Sequence, residues 1–191
     1  MKDEVRRLLS FWFADGPDSF RAAWFMKDDA FDAACRAGFG ELVVPARDGE
    51  LDDWAATPDG ALALLLLLDQ FPRNLFRGGA EAFASDARAR TIARRTVLRH
   101  GFDHALAPAQ RIFLYLPFEH GEALGDQDLS VALFEGLRDH PGHARPQGTI
   151  DYAWRHRAVI QRFGRFPHRN AALGRESTAV EAAWLAAGGG F

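Results

Sequence analysis

Apolar residues recur with a period near 3.6 along almost the whole of this chain. Val5, Leu8, Leu9 and Trp12 fall at the i, i+3, i+4, i+7 positions of one helical face, and Gly16-Pro17 stops that helix. Phe31, Cys35, Phe39 and Leu42 repeat the pattern on a second helix. Thr57 followed by Pro58 reads as an N-cap with proline at the first helical position, opening a leucine-rich helix to about Asp69. That helix is apolar nearly all round, which predicts a place at the centre of the fold. Ser85 is expected to cap a helix through Ala89, Ile92, Ala93 and Val97, closed by Gly101. Pro108 opens a short helix with Ile112, Phe113 and Leu116, and Pro117 is expected to interrupt it. Leu129, Ala132, Leu133 and Leu137 mark the next apolar face, 140–148 reads as a loop, and 149–163 as another helix. Thr178 with Glu181 forms a capping box for the last helix, which glycines 188–190 end.

No stretch alternates with period two for long enough to make a strand, and the best candidate, 42–44, is too short. The pattern therefore predicts an all-α protein, with about eight helices paired antiparallel through short connections in a single domain over 1–191.

Composition sharpens this picture. The chain has 191 residues, 48% of them hydrophobic, with 16 Phe and 5 Trp, ample for a buried core. A net charge of −3 argues against nucleic-acid binding, which needs a basic excess to displace counterions from phosphates. Cys35 is the only cysteine, so no internal disulfide forms, and its place on an apolar face predicts a buried, inert thiol. The opening MKDEVRRLLSFWF has acids and arginines where a secretory signal needs a clean apolar stretch. The longest apolar run, 61–68, falls far short of the roughly 20 residues of a membrane span. A cytoplasmic protein with no membrane partner is expected.

Two polar segments echo each other. Asp69-Gln70-Phe71-Pro72-Arg73-Asn74 and Arg165-Phe166-Pro167-His168-Arg169-Asn170 each place Phe-Pro after an apolar helix and then Arg-Asn, with one His inserted in the second. Proline is expected to end each helix, arginine offers a rigid five-donor fork, and asparagine caps or bridges. Charge is uneven nearby. From Tyr152 to Arg175 there are arginines at 155, 157, 162, 165, 169 and 175, with His156 and His168, and no acid. From Ile112 to Leu137 the charged residues are Glu119, Glu122, Asp126, Asp128 and Glu135, all acidic. The two stretches suit either a preorganised anion site or mutual pairing that locks helices together.

His156 shares a helical face with Ala153, Ile160 and Phe163 and should point inward as a core residue. His168 lies in a turn beside Arg169 and Asn170, where a proton carrier is best placed. Glu119-His120-Gly121-Glu122 resembles a metal sequence, but near-adjacent ligands rarely converge on one ion, and no metal is expected. There is no G-x-S-x-G elbow, phosphate-cradling glycine loop, dinucleotide fingerprint or CxxC, so no cofactor is expected either.

The residues also carry a family resemblance. SFWF at 10–13, GELDDWAATPDGALALLLLLDQFPRNLFRG at 49–78, AFASDARAR at 82–90, FLYLPFEHGE at 113–122 and HRAVIQRFGRFPHRNAALGREST at 156–178 resemble the bacterial domain-of-unknown-function family 924 nearly end to end. The resemblance implies a tetratricopeptide-repeat-like stack of helix pairs and no particular activity. At Ala123 the chain departs from the family pattern, which often has a second acid after Glu122.

The favoured expectation is a site for an anionic small molecule, in which Arg73, Arg165 and Arg169 bind the ligand and Asn74 and Asn170 orient it. His168 would carry the proton, and Gln70, Glu119 and His120 would form a polar wall. No nucleophile is visible, so whether chemistry follows binding stays open, as does the oligomeric state. The alternatives are a non-catalytic helical scaffold for a peptide or protein, and polar motifs that serve only to cap helices and pair charges.

Overall fold

Asp3 and Glu4 stand in the first turn of α1 (Asp3–Trp12), where acidic side chains complement the positive end of a helix, and Val5, Leu8 and Trp12 form its buried face. This is a computed structural model that describes residues 2–191, and every regular element among them is helical. Helix α2 (Asp29–Asp48) begins at Asp28, whose carboxylate accepts the Ala30 and Phe31 N–H groups, and ends on Gly49 at φ 93°. It buries Phe31, Cys35, Phe39, Val43 and Ala46 and contains residues 42–44, the best strand candidate.

Thr57 accepts the Gly60 N–H at 3.2 Å and Pro58 is the first residue of α3 (Pro58–Leu65). Every residue from Ala61 to Leu68 is buried, as an all-round apolar helix requires. Contrary to expectation, the helix does not stop near Asp69. A π-helical turn, Leu66–Gln70, carries it into α4 (Phe71–Leu75), and Pro72 lies within the continuous run. Proline has no N–H, so the carbonyl four residues back, that of Leu68, loses its helical donor. Ser85 replaces it: its hydroxyl donates to Leu68 O at 2.6 Å. Ser85 therefore does not cap its own helix, α5 (Asp86–Ala93), which makes no side-chain cap bond and runs on into a second π-helical turn, Arg94–Arg99. Gly101 at φ 62° closes that run.

Pro117 likewise fails to break α6 (Pro108–Glu119), where it sits close to the end of the helix. Helix α7 (Leu124–Glu135) presents a different face from the one its leucines suggest. Asp126, Gln127, Ser130, Val131 and Phe134 are buried, whereas Leu129 and Leu133 are half-buried and Ala132 is exposed. The polar face turns inward because the Gln127 amide donates to the carbonyls of Glu119 and Gly121, both at 2.6 Å, and so satisfies carbonyls at the end of α6. The loop at 140–148 contains one helical turn, α8 (Pro141–Ala144). Helix α9 (Thr149–Phe163) has the expected limits and stops on Gly164 at φ 69°. The predicted Thr178–Glu181 capping box opens α10 (Ala179–Ala186). With the π-linked segments joined and the one-turn α8 set aside, the helices among the described residues number about eight.

The chain divides into two compact units, one of residues up to Arg77 with Glu81–Pro117, the other of Gly78–Ala80 with Phe118–Phe191. In the first, α3 packs on α1 and α5, α2 packs on α4, and the rings of Trp12, Trp24, Phe71 and Phe113 interlock at centroid distances of 5.1 to 5.6 Å. In the second, α7 packs on α9, and Val159, Ile160 and Phe166 form a core flanked by Phe163 and Trp184. Among the described residues no helix is long and apolar enough to cross a membrane.

The Ser85 hydroxyl and the proline it compensates form a testable pair. Ser85→Ala should cost about 1–3 kcal/mol in urea denaturation, because it strands a buried carbonyl. In a Pro72→Ala background, where residue 72 regains an N–H, the same substitution should cost measurably less, which a double-mutant cycle reads directly.

Candidate functional site

The first unit holds three of the predicted ligand-binding residues, and their polar groups are engaged within that unit. Arg73 forms a two-pronged bridge to Asp86 at 2.9 and 3.0 Å and donates to Asp69 O at 2.7 Å. Burial alone would lower its pKa, but Asp69 and Asp86 outweigh that effect and hold it above the ordinary arginine value. Asn74 donates to Asp32 at 2.6 Å, and the same carboxylate takes the Arg77 fork. The buried Gln70 amide donates to Asp69. Here the Arg-Asn pair after Phe-Pro works as a girder.

The second unit assembles its polar residues differently. Its central piece is the turn that follows Gly164. Glu122 Oε1 accepts the Phe166 N–H at 2.8 Å, Arg175 bridges both Glu122 oxygens at 2.7 and 3.0 Å, and Arg175 also donates to Phe166 O at 3.1 Å. The backbone of Phe166 is thus held at both its N–H and its carbonyl. Arg165 turns away from this point, its fork filled by Glu181 at 2.7 Å on each prong with Glu176 O at 2.9 Å. That pairing pulls the Glu181 carboxyl down to about 2.

Around the Phe166 ring the predicted and unpredicted residues meet. Arg169 lays its guanidinium over that ring at 4.4 Å and donates to His120 O at 3.0 Å. His156 stands edge-on to Phe166 at 5.6 Å between ring centroids, His168 lies 5.5 Å from the same ring, and His120 lies 6.3 Å from His156. Glu119, also buried, brings Oε1 to 3.2 Å from His156 Nδ1. Asn170 is buried beside Arg169 and donates to Ser177 at 3.0 Å. Phe191 covers the group, its ring stacked on His156 at 3.6 Å and 10°. Of the predicted set, Glu119, His120, His168, Arg169 and Asn170 belong to this neighbourhood, whereas Arg165 braces α10.

His156 is the electrostatic centre. Its Nδ1 lies 2.9 Å from Tyr152 O, a pure acceptor, so Nδ1 carries the hydrogen and Nε2 keeps a lone pair in the neutral ring. Burial, then the charges of His120, Arg169 and His168, push its pKa well below the ordinary histidine value. The buried neutral imidazole is a base with a guanidinium, two further histidines and the Glu119 carboxyl as neighbours. Among the described residues, no group of three or more His, Cys, Asp or Glu side chains is placed to hold a metal ion.

The sequence pointed His156 inward, and it is buried at 7% exposure, yet the same apolar spacing that makes it look like core hides its polar company. Glu122, Gln127, Phe166 and Phe191 were not assigned roles. The echo of Phe-Pro followed by Arg-Asn marks the turn but carries no sign that its backbone is clamped. Two shallow recesses lie elsewhere on this unit, one of 380 Å³ by Arg138, Ile150 and Trp154 and one of 490 Å³ by Arg162, Val180 and Trp184. Neither is lined by the histidines, whose interior is filled by Phe166 and Phe191.

The sequence from residue 8 to residue 189 matches the model of a family described as bacterial protein of unknown function (DUF924). The chain belongs to that family. This DUF924 protein is similar to a protein of unknown function from Agrobacterium tumefaciens, with 40% identity, a TM-score of 0.83, and coverage of 95% of this chain and 96% of the other. No curated protein is similar to it.

The state of His156 in this DUF924 protein has a consequence for stability. Its folded pKa lies below the unfolded value of about 6.5, so the unfolded chain binds the proton more readily. Stability is complete above that value and is lost as pH falls through it. Urea denaturation between pH 8 and pH 5 should show this decline, and His156→Gln should flatten it. The carboxylates Glu122 and Glu181 have lowered pKa values and contribute their loss only below about pH 4.5, outside that window.

Proposed function

We propose that the second unit binds an anionic small molecule at the cluster of His120, His156, His168 and Arg169. The observation that carries the reading is convergence. His156, His168 and Arg169 from α9 and the turn Pro167–Arg169 meet at the Phe166 ring, and His120 from the end of α6 joins them at His156, although the three histidines are cationic when protonated and the arginine is always charged. Burying such groups together costs stability, and positions of this kind are retained where binding uses them. Arg169 supplies the anion-recognising fork, His156 Nε2 the acceptor, and His168 the proton carrier. The available groups suit binding and proton transfer.

A second reading, a helical scaffold for a peptide, is favoured by one feature of the first unit. Phe20, Phe25 and Met26 are exposed, and the two phenyl rings stack at 5.9 Å.

A thermal-shift screen of phosphorylated and carboxylated metabolites separates these readings. At a ligand concentration a hundred times Kd, stabilisation of the parent should be about 2.7 kcal/mol. Arg169→Gln should abolish the shift, and His168→Ala should weaken it. If every anion leaves the melting temperature unchanged, or shifts parent and Arg169→Gln alike, the cluster is not the site.

A further inference from the structure

Phe191 occupies a slot of a particular shape. The face of His156 forms its floor at 3.6 Å, and Phe166 and His168 stand at right angles to it, 6.2 and 5.8 Å away at 86° and 83°. One face-stacked and two edge-on neighbours give the slot the shape of a single planar ring. The fourth side is open: Phe191 remains 50% exposed.

The segment that delivers the ring has few attachments of its own. Gly188 and Gly189 are fixed by N–H bonds to Leu185 O and Trp184 O at 3.0 and 2.9 Å, and among the described residues Gly190 and Phe191 make no backbone hydrogen bond to another backbone group. Gly188 and Gly190 adopt φ values of 83° and 140°, which side chains disfavour, and a methyl on Gly189 would run into the Trp184 indole. The path to Phe191 therefore depends on glycine, while the contacts of Phe191 come from its ring. A half-exposed ring reached through glycines holds the slot only as strongly as these three ring contacts allow.

We infer that this slot is the ring subsite of the anion site proposed above, and that the ligand is an aromatic or heteroaromatic anion. Its ring stacks on His156 where Phe191 now lies, and its charged group meets the Arg169 side. The inference rests on the proposed anion site for the charge and on the slot geometry for the ring. Phe191 then acts as an internal competitor, and the apparent affinity of any ligand is reduced by the fraction of time the ring is in place.

Three probes separate the parts: phenyl phosphate, which has ring and charge; inorganic phosphate, which has charge alone; and phenol, which has ring alone. Each is titrated by calorimetry into the full-length parent, Phe191→Ala and Gly189→Ala, with histidine Cε1–H resonances followed by NMR. The second variant keeps the phenyl ring but lifts its tether off Trp184, so the test does not hang on one substitution. Phenyl phosphate should bind both variants about tenfold tighter than the parent. Inorganic phosphate should bind all three alike. The ring-current shift of the His156 resonance, present in the parent, should vanish in Phe191→Ala and return with phenyl phosphate. Equal affinity of phenyl phosphate for parent and variants overturns the ring subsite. If that equality comes with inorganic phosphate binding, the anion site stands without it. Phenol restoring the His156 shift with no binding of either phosphate supports the slot and overturns the anion site. No binding by any probe overturns both.

Discussion

The carboxylate of Glu122 is committed on both oxygens before any ligand arrives, and the candidate site depends on that commitment. One oxygen holds the Phe166 N–H, both hold Arg175, and Arg175 closes the loop on the Phe166 carbonyl. Both peptide groups flanking Phe166 are pinned, so the direction in which its side chain leaves the backbone is set by these contacts. That ring is in turn the surface on which Arg169 lies and against which His156 and His168 are measured. Gln127 does the same for the other side, tying together carbonyls at the end of α6 from which Glu119 and His120 project. The groups that could recognise a ligand are held by groups that cannot, and this separation is what preorganisation means in a small site.

Charge sets the second constraint. Arg169 is 5% exposed and has an aromatic face and a backbone carbonyl within reach. Its persistent charge, with the two neighbouring histidines, is part of why His156 stays neutral. Burial comes first among the causes, and the repulsion of these neighbours adds to it. Under the proposed function, an entering anion would relax that repulsion and raise the proton affinity of the imidazole, which would couple binding to protonation.

Much of the fold was legible because its signals are local. Thr57-Pro58, Thr178 with Glu181, and Gly101 act through bonds to residues a few positions away. The errors share one cause, which is that a partner distant in sequence overrode a local rule. Pro72 was expected to end a helix, and a hydroxyl from position 85 removed the penalty. Ser85 was expected to cap its own helix, and it was already engaged. The leucines of α7 suggested one face, and Gln127 turned another inward because carbonyls at the end of α6 needed donors. The candidate site follows the same logic. The echo between the two Phe-Pro turns is real in the chain, yet Arg73 and Arg165 each meet a carboxylate from elsewhere in their own unit, which no spacing rule announces. His168 and Arg169 were visible because they sit in a turn, whereas His156 was camouflaged by its apolar neighbours on α9.

Cys35 lies on the buried face of α2, fully out of contact with solvent, and burial pushes its thiol up to about 12. It is also the only cysteine in the chain. Since the thiolate is the reactive form, the native protein presents no thiolate to a thiol-selective reagent at neutral pH, and the unfolded chain presents an accessible thiol. The molecule thus contains its own clock: the rate at which a thiol reagent marks it in plain buffer counts openings of the first unit, without denaturant, dye or added label.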